Sequence, residues 1–490
     1  ALEINADAKS FNNLGFILLK QGRYEEAEKN FKAALILDKN YLDAKTNYGA
    51  SLLELGKIDE AIKEYDEVLK INSENATAHF NKAVALLLSG NFDEGWKEYE
   101  WRFKKGNLKK PDFVKPEWNG ENLNGKTILV HDEQGIGDSI QFIRFLKLLK
   151  EQNAKVIFKC RKELVNLYKN FEAVDEFVEL TNYVESNFDF EISLLSLPKI
   201  FKTNISNIPS PDKYLTVDKS ILEKWKNKFA GVEKLKIGLV WKGNPEHEYD
   251  FKRSCKLEDF KNILKNENAV FYSLQKENDK EELLKYGVID LSNEVSNLEE
   301  TAGCITNMDL VITVDTAAAH IAGALGKETW ALISKIPDWR WLLEGDGSPW
   351  YSSLKLFRQK ETGNWNSVFE EINNELNKIV YENNDELIKE FLNKKILAFQ
   401  FHVNGETEKA EKLYLELLNN LIDDAELNFW LASLYLSQKN YKNAVKFFEQ
   451  ALLVKTDYFE AVEFSAIAYE QLEDYKNAVR NYEKVLSRKK

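Results

Sequence analysis

One turn of this chain combines glycines with an acidic residue at the start of a predicted helix. Gly135, Gly137 and Asp138 lie between the apolar run 126–132 and the helical pattern of 139–152. Glycines let a backbone approach a ligand closely, and the first turn of a helix favours negative charge, so this turn suits an anionic ligand. Judged on its spacing alone, Asp138 is best explained as a helix-capping aspartate, which stabilises a helix by about 1 kcal/mol.

A second turn carries polar residues that open a helix of very small side chains. Asp315 and Thr316 follow the apolar run 308–314 and precede Ala317. Backbone N–H groups at such a helix start can meet a phosphate without obstruction, whereas Asp315 repels phosphate and is better suited to orient backbone or a sugar hydroxyl. His320 lies one turn further on, and taken alone it is best explained as a half-buried histidine with satisfied hydrogen bonds.

A third turn, which follows the predicted strand 236–241, is long, polar and basic. Four of its cations lie close together in the sequence, namely Lys242, Lys252, Arg253 and Lys256. An arginine can donate to two oxygens of a diphosphate and stabilise the charge left on a departing nucleotide. The alternative is a solvated loop with ordinary surface lysines, and this interpretation suits Lys252 and Lys256 well.

A fourth segment, 337–359, is dense in aromatic residues. It contains Trp339, Trp341, Trp350 and Tyr351. Aromatic residues at this density usually belong to a core or to the seam between two domains, and we favour that interpretation. A platform that stacks a base or a sugar is the alternative.

Short apolar strands alternate with helical patterns in the middle of the chain. Two such sets occur, at 126–218 and at 219–380. Strands interleaved with helices predict parallel, doubly wound sheets. Two α/β halves of this kind hold a ligand in the crevice between them, at the carboxyl ends of the strands. We therefore predict two Rossmann-like domains whose loops share one site.

The N-terminal part repeats with a period of 34 residues. This spacing links a small residue, a turn glycine and an aromatic residue in three successive repeats: Gly15, Gly49 and Ala83, then Gly22, Gly56 and Gly90, then Phe31, Tyr65 and Tyr99. A small residue lets two helices approach, and the aromatic residue fills the next groove, as a stack of helical hairpins requires. The pattern resembles tetratricopeptide repeats over residues 8–104.

The C-terminal part has the same spacing, at Ala410, Ala444 and Ala478. We predict N-terminal repeats over 1–104, a linker at 105–125 and three further hairpins within C-terminal repeats over 381–490. The opening residues resemble the end of another repeat, so we expect the array to extend upstream. Arrays of this kind offer a concave surface that usually binds a peptide or a protein.

Composition narrows the class of protein. The 490 residues are 44% hydrophobic and 30% charged, which indicates a folded chain of about three domains. The net charge of −13 argues against broad binding to duplex nucleic acid or to an anionic membrane face. No run of the sequence approaches the ~20 apolar residues of a membrane span. Three scattered cysteines suit neither a disulfide framework nor a metal cluster, so we expect a cytoplasmic protein.

Two of the turns lie within longer runs that resemble a known family. The runs QGIGDSIQFIRFLKLL and VDTAAAHIAGALGKETWALI are similar to the first-domain and nucleotide-sugar signatures of the heptosyltransferase-like glycosyltransferases (glycosyltransferase family 9, GT-B fold). Runs at 90–102, 238–254 and 337–359 resemble bacterial proteins in which tetratricopeptide repeats precede such a domain. The resemblance implies an α/β plus all-α chain, with a GT-B-type pair of Rossmann-like domains between N- and C-terminal repeats.

The resemblance also implies a reaction, namely an inverting, metal-independent transfer of a sugar from a nucleotide diphosphate, with no cofactor besides that donor. Asp138 maps onto the general base of the family, which removes the proton of the acceptor hydroxyl. Glu133 and His131 lie near the same crevice and are alternative bases. The residues expected to line the acceptor side are Gly135, Gly137, Glu133 and Gln134.

The donor side is implied in the same way. Arg253 maps onto the diphosphate-binding position, where the family more often has lysine, and Lys242 belongs to the same basic turn. Asp315, Thr316 and His320 map onto the donor-binding turn, in which Ala317 replaces the usual glycine.

Three functions are consistent with these sequence features. In the first, the repeats present a protein or peptide acceptor to the transferase. In the second, the acceptor is lipid-linked or a polysaccharide and the repeats only assemble a complex. In the third, the α/β region no longer turns over and the chain is a repeat scaffold. The expected partners are a nucleotide sugar and a protein or peptide on the repeats.

Overall fold

The structure is a computed structural model that describes residues 7–487 except 107, 109, 112, 114, 183–186, 248, 383–384 and 421–423. The chain forms two compact units, Ala1–Val368 and Phe369–Lys490, and each is described by itself. Among the described helices, none combines the length and the apolar character needed to cross a bilayer.

The first unit begins with three helical hairpins. Their helices are α1 (Ala8–Lys20), α2 (Tyr24–Leu37), α3 (Leu42–Glu54), α4 (Ile58–Ile71), α5 (Ala76–Leu88) and α6 (Phe92–Tyr99). The small and aromatic positions of the repeat pack as predicted. A methyl group added at Gly15 would lie 2.7 Å from the Phe31 ring, and one at Gly49 would lie 2.5 Å from the Tyr65 ring. Both rings are fully buried, so glycine is required for the two helices of each hairpin to approach.

The predicted linker ends as a packed segment. The Trp118 N–H donates to the carbonyl oxygen of Glu191 at 2.8 Å, and the Glu191 N–H donates to the carbonyl oxygen of Pro116 at 3.0 Å. Trp118 and Leu123 are buried. The chain therefore reaches the first sheet by pairing with its edge.

The first α/β lobe has four parallel strands in the order β3-β2-β1-β4. These are β1 (Thr127–His131), β2 (Lys155–Cys160), β3 (Glu176–Glu179) and β4 (Phe190–Ser193), with helices α7 (Ile136–Phe142), α8 (Leu146–Glu151), α9 (Lys162–Tyr168) and α10 (Leu197–Ile200). β1 lies at the apolar run 126–132, where the sequence predicts a strand, whereas β4 was not predicted. The single helix predicted over 139–152 is wrong in detail, because a 3-10 turn at Ile143–Phe145 separates α7 from α8.

The second lobe has six parallel strands in the order β10-β9-β8-β5-β6-β7. These are β5 (Leu235–Val240), β6 (Ala269–Ser273), β7 (Ile289–Asp290), β8 (Leu310–Val314), β9 (Thr329–Ile333) and β10 (Leu354–Arg358). Its helices are α11 (Lys219–Lys228), α12 (Asp250–Arg253), α13 (Lys280–Tyr286), α14 (Leu298–Thr306) and α15 (Ala317–Ala324). The order places β8 and β5 beside each other at the centre, so the turns that follow them open at one edge of the sheet.

The second unit consists of helical hairpins. After α16 (Asn366–Glu382), which begins at the end of the first unit, come α17 (Asp385–Val403), α18 (Thr407–Asn420), α19 (Ala425–Ser437), α20 (Tyr441–Val454), α21 (Phe459–Gln471) and α22 (Tyr475–Ser487). The repeat positions Ala410, Ala444 and Phe448 are fully buried. The predicted fold class, parallel-sheet α/β lobes between sets of helical hairpins, is confirmed.

Candidate active site

The turn after β1 is held in shape by Arg161. Its Nη1 donates to Oδ2 of Asp132 at 2.6 Å, and its Nη2 donates to the carbonyl oxygen of Gln134. Gln134 has a φ of 59°, which turns the chain sharply into α7. Burial raises the pKa of Asp132 to about 6, although the cation of Arg161 opposes this shift.

Asp138 lies in the first turn of α7 and uses both of its carboxylate oxygens. Oδ2 accepts the N–H of Gly135, the N-cap residue, at 2.7 Å, and Oδ1 accepts Nη2 of Arg340. Asp138 is therefore the third residue of the helix and not its cap, but it does satisfy the backbone at the helix start. Burial raises the pKa of Asp138, while Arg340 and the Gly135 N–H act to lower it.

Arg340, which the sequence did not point to, joins the two lobes. It lies in the 3-10 turn Trp339–Trp341 and donates to Asp138 of the first lobe and, through Nη1, to Oδ1 of Asp338 at 2.7 Å. Although burial acts to raise it, Arg340 holds the pKa of Asp338 below its usual range. In the sequence this cation lies between Trp339 and Trp341, within a segment whose dominant pattern is aromatic.

The second turn forms the start of α15, with Thr316 as N-cap and Ala317 as first residue. Its backbone is braced by Arg253, whose Nη1 donates to the carbonyl oxygen of Asp315 at 2.8 Å. Burial and the neighbouring carboxylate of Asp338 raise the pKa of Asp315 to about 6, although Arg253 opposes them. The turn thus combines the N–H groups of a helix start with a guanidinium that binds the backbone just before it.

His320 is buried beside the first turn. Its Nδ1 lies 2.9 Å from the Tyr351 hydroxyl, and its ring stacks on Trp341 with centroids 5.5 Å apart. A methyl group added at Gly137 would lie 2.7 Å from Cδ2 of His320, so the two lobes touch here. Burial, reinforced by the cation of Arg340, lowers the pKa of His320 to about 3, so the imidazole is neutral at pH 7.

The cations of the basic turn after β5 have different partners. Arg253 is bound by Asp250, whose Oδ1 accepts Nε at 3.0 Å, and Gly243 makes room, since a methyl group there would lie 2.6 Å from Nη2 of Arg253. Lys252 instead pairs with Glu54 of α3. The interpretation of Lys252 as an ordinary surface lysine is therefore wrong, because a repeat helix supplies its partner. Lys242 is exposed at the mouth of the turn.

Glu133 and His131 have other partners. Glu133 receives Nε and Nη2 of Arg102 at 2.9 and 2.8 Å, together with the Ser193 hydroxyl. Although burial acts to raise it, Arg102 holds the pKa of Glu133 below its usual range. Nε2 of His131 lies 3.1 Å from Oε2 of Glu191. With these contacts, neither side chain has the geometry of an available base.

The last N-terminal repeat contacts the turn of Asp138 directly. Nε2 of Gln134 donates to the Tyr99 hydroxyl at 3.0 Å. Trp96, in the same helix α6, packs edge-on against Trp339 of the second lobe, with centroids 5.3 Å apart, and against Phe142 of α7. The favoured interpretation of the aromatic segment, a seam between domains, agrees with these contacts.

One further residue that the sequence did not point to faces this site. Burial lowers the pKa of His247, which lies in the loop after β5, and the nearby cation of Arg253 adds to this effect. The carboxylates of Asp338 and Asp138 act on the same imidazole in the opposite direction. Two signals could have marked it, namely its place in a basic turn and its place in the run 238–254 that carries the resemblance.

Comparison with known proteins identifies the repeats. Models of the tetratricopeptide repeat match residues 7–67, 49–90, 425–458 and 463–490. Protein FlbA of Caulobacter vibrioides is 25% identical over 298 residues, which are 54% of this chain and 49% of FlbA. The chain thus spans about half the length of that relative.

Solved structures resemble the α/β region at low identity. A glycosyl transferase family 9 protein from Veillonella parvula covers 49% of this chain and 88% of its own, at 11% identity and a TM-score of 0.39. ADP-heptose LPS heptosyltransferase II of E. coli covers 52% of this chain and 99% of its own, at 13% identity and a TM-score of 0.38. The chain described here contains tetratricopeptide repeats before and after an α/β region of two parallel sheets.

Proposed function

We propose that the α/β region is a glycosyltransferase that takes a sugar from a nucleotide-diphosphate donor. One observation carries this proposal: the turn of Asp138 and the start of α15 meet at the carboxyl ends of two parallel sheets. Gly137 lies against His320, and Asp138 and Asp338 share Arg340. A crevice at such strand ends is where α/β proteins bind their ligands.

The second lobe supplies the donor side in this proposal. The backbone N–H groups at the start of α15 meet the diphosphate, and the small side chains of Ala317 and Ala318 leave them accessible. Arg253 and Lys242 supply positive charge for the leaving group. The carboxylate of Asp315 would repel the phosphates of the donor. In this proposal Asp315 therefore accepts a hydrogen bond from a sugar hydroxyl of the donor.

The first lobe supplies the base. Asp138 accepts the proton of the acceptor hydroxyl while that oxygen forms a bond to the anomeric carbon. The bond between this carbon and the diphosphate oxygen breaks, and its electron pair leaves with the nucleoside diphosphate. Attack from the face opposite the leaving group inverts the configuration. We propose that this transfer uses no metal ion, and that the donor is the only small molecule required.

The acceptor, we propose, is a protein or peptide held by the repeats. Tetratricopeptide arrays bind peptides on their concave surface, and here the last N-terminal repeat contacts the turn of Asp138 through Tyr99 and Gln134. A chain bound to the array would therefore lead towards the base. A lipid-linked or polysaccharide acceptor would leave that contact without a role in substrate delivery.

The test begins with donor binding. ADP-, GDP- and UDP-sugars are added to the full chain, and a competent donor should stabilise it by about 2.7 kcal/mol at a hundred times its Kd. Asp138→Asn should retain this binding and lose transfer by a factor of about 100 or more. Asp279→Asn, which changes an aspartate that caps α13 instead, is the matched control and should transfer normally. Failure of every donor to bind would favour a non-catalytic scaffold.

The acceptor class is tested by substitution and not by deletion of the repeats, because α6 is part of the core around the site. Phe16 and Ile17 of α1 are exposed apolar residues. Replacing both with serine should abolish transfer to a protein acceptor while donor binding is kept. Unchanged transfer, or transfer only to lipid-linked acceptors, would contradict the protein-acceptor proposal.

A further inference from the structure

Arg340 is shared by two carboxylates that lie on different lobes. Nη2 donates to Asp138 of α7, and Nη1 donates to Asp338 at 2.7 Å. The side chain of Arg340 is 9% exposed and that of Asp138 is 17% exposed, so water screens this contact only weakly. The contact closes the first lobe onto the second at the candidate site.

The same contact lowers the basicity of the Asp138 carboxylate. Its Oδ2 already accepts the Gly135 N–H at 2.7 Å, and its Oδ1 accepts from Arg340. A carboxylate in an ion pair is a weaker proton acceptor than one without a cation. Loss of the cation would make Asp138 a stronger base, whereas the Gly135 N–H is fixed by the helix start.

Arg340 is the partner able to leave. Its Nε is buried and has no hydrogen-bond acceptor among the described residues, and its guanidinium lies over the Trp339 ring at 4.2 Å, which fixes its plane. A diphosphate offers an arginine two oxygens in one plane and more charge than a single carboxylate. The guanidinium therefore has both an unused donor and a stronger alternative partner.

The donor site is within reach of Arg340. The next residue, Trp341, stacks on His320 of α15, whose first turn we assign to the diphosphate. The cation of Arg340 also acts on His320, where it adds to the effect of burial in lowering the pKa of that imidazole. Arg340 also opposes the rise in the pKa of Asp315, which lies just before α15, so the guanidinium acts at the α15 start as well.

We propose that Arg340 is a donor-responsive latch on Asp138, which a nucleoside diphosphate at the start of α15 releases by taking the guanidinium from the carboxylate. This inference rests on the proposed transferase function and adds an order of events to it. The base is held inactive until the donor binds, so the donor precedes the acceptor. Arg340 acts as a positioning residue before chemistry and stabilises the leaving group afterwards.

Several charged or titratable groups act on Asp138 besides Arg340, and the test must keep them in place. Asp338 belongs to the second lobe, and Asp132 and Glu133 follow β1. Tyr99 belongs to α6, and His247 lies in the loop after β5. Among these contacts, Arg340 is the main influence that lowers the pKa of Asp138.

The direct test measures the wild-type chain and uses one variant only to assign a signal. With aspartate labelled at the carboxyl carbon, NMR follows the titration of Asp138, identified as the signal lost in Asp138→Asn. ADP, GDP and UDP are the probes, with binding measured independently by thermal shift. A nucleotide that binds should raise the pKa of Asp138 by one unit or more. Binding with an unchanged titration would overturn the latch alone, whereas no binding by any nucleotide would overturn the latch and the proposed function together.

Variants then separate the latch from a structural role. Arg340→Gln should move the acidic limb of kcat/KM, which reports the free enzyme, to higher pH by about one unit, and should move the limb of kcat much less. Arg340→Lys keeps a cation and should restore the wild-type limb. Arg253→Gln is the matched comparison, expected to raise the donor KM tenfold or more without moving either limb. Equal shifts in both limbs would contradict release of Asp138 by the donor.

Discussion

Gly137 and His320 lie against each other, although one belongs to the first lobe and the other to the second. Cδ2 of His320 would be only 2.7 Å from a methyl group at Gly137, so this contact excludes any side chain. Both residues were selected from the sequence on separate grounds, and the structure brings them together. Their contact makes the site a property of both lobes.

The first prediction concerns this contact. Gly137→Ala must displace the buried imidazole, and such overpacking should cost about 1–3 kcal/mol of unfolding free energy. Donor affinity and the transfer rate should fall by more than this loss of stability alone would cause, because the two lobes separate at the site. Gly347→Ala is the control, since a methyl group there meets no atom within 4 Å. Equal behaviour of the two variants in urea denaturation and transfer assays would refute the prediction.

The second prediction concerns the ion pair between Arg102 and Glu133. Arg102→Met leaves the carboxylate of Glu133, 4% exposed, without its cation, and should cost about 3–5 kcal/mol of unfolding free energy. Arg23→Met is the matched control, because Arg23 makes the same two-bonded contact with Glu26 at 52% exposure, where water screens the pair, and its loss of stability should be much smaller. Urea denaturation measures the unfolding free energy of both variants. A similarly small loss in the two would show that the buried pair does not stabilise the fold.

The third prediction is a pH dependence that comes from Asp132. Burial raises its pKa from 3.8 to about 6, so between these values the folded chain binds the proton that the unfolded chain has released. The contribution of this group to stability is present at low pH and is lost as pH rises through about 6, by about 3 kcal/mol in total. Asp132→Asn does not titrate, so its unfolding free energy relative to wild type should increase by up to this amount between pH 4 and pH 7.

Asp175 provides the opposite control for this measurement. Although burial acts to raise it, the ammonium of Lys150 and the Val156 N–H lower the pKa of Asp175. Asp175→Asn should therefore lose stability relative to wild type as pH rises out of the acid range, the reverse of Asp132→Asn. Parallel curves for the two variants would contradict the assignment of the Asp132 shift to burial.

The fourth prediction concerns truncation. Removal of residues 1–104 exposes the partners of Trp96, among them Phe142 and Trp339, and takes Arg102 from Glu133. The remaining chain should aggregate or fail to show a cooperative melting transition. Removal of 1–37 alone, which leaves α6 in place, should preserve folding and donor binding. A soluble, donor-binding chain that begins at residue 105 would contradict this view of the repeats.

The sequence predicts those parts of the fold that depend on local patterns. The central strands β1, β5 and β8 are short apolar runs between turns. The repeats are recognisable from regularly spaced glycine and aromatic residues that contact each other, as Gly15 and Phe31 do. The edge strand β4 was missed because its run, FEIS, is short and contains a charged residue. In the second α/β set, residues 257–266 form 3-10 turns at Leu257–Phe260 and Ile263–Lys265 instead of one α-helix.

The candidate site was predictable only in part, for a physical reason. Asp138, Arg253 and His320 follow strands, and the carboxyl ends of parallel strands share an edge, so their proximity follows from topology. Arg340 lies 202 positions from Asp138 in the sequence, and their contact depends on how one lobe closes on the other. No local pattern encodes that closure.

The turn glycines of the N-terminal repeats also face the α/β region. Methyl groups added at Gly22, Gly56 and Gly90 would meet Phe251, Ile336 and Ile205, at 3.1, 3.3 and 3.1 Å. Successive hairpins are thus matched to successive points on a surface that does not itself repeat. Duplication or loss of one hairpin within this array would shift the remaining hairpins out of step with that surface. The number of N-terminal hairpins that contact the lobes is consequently fixed, unlike the freely variable copy number of an isolated solenoid.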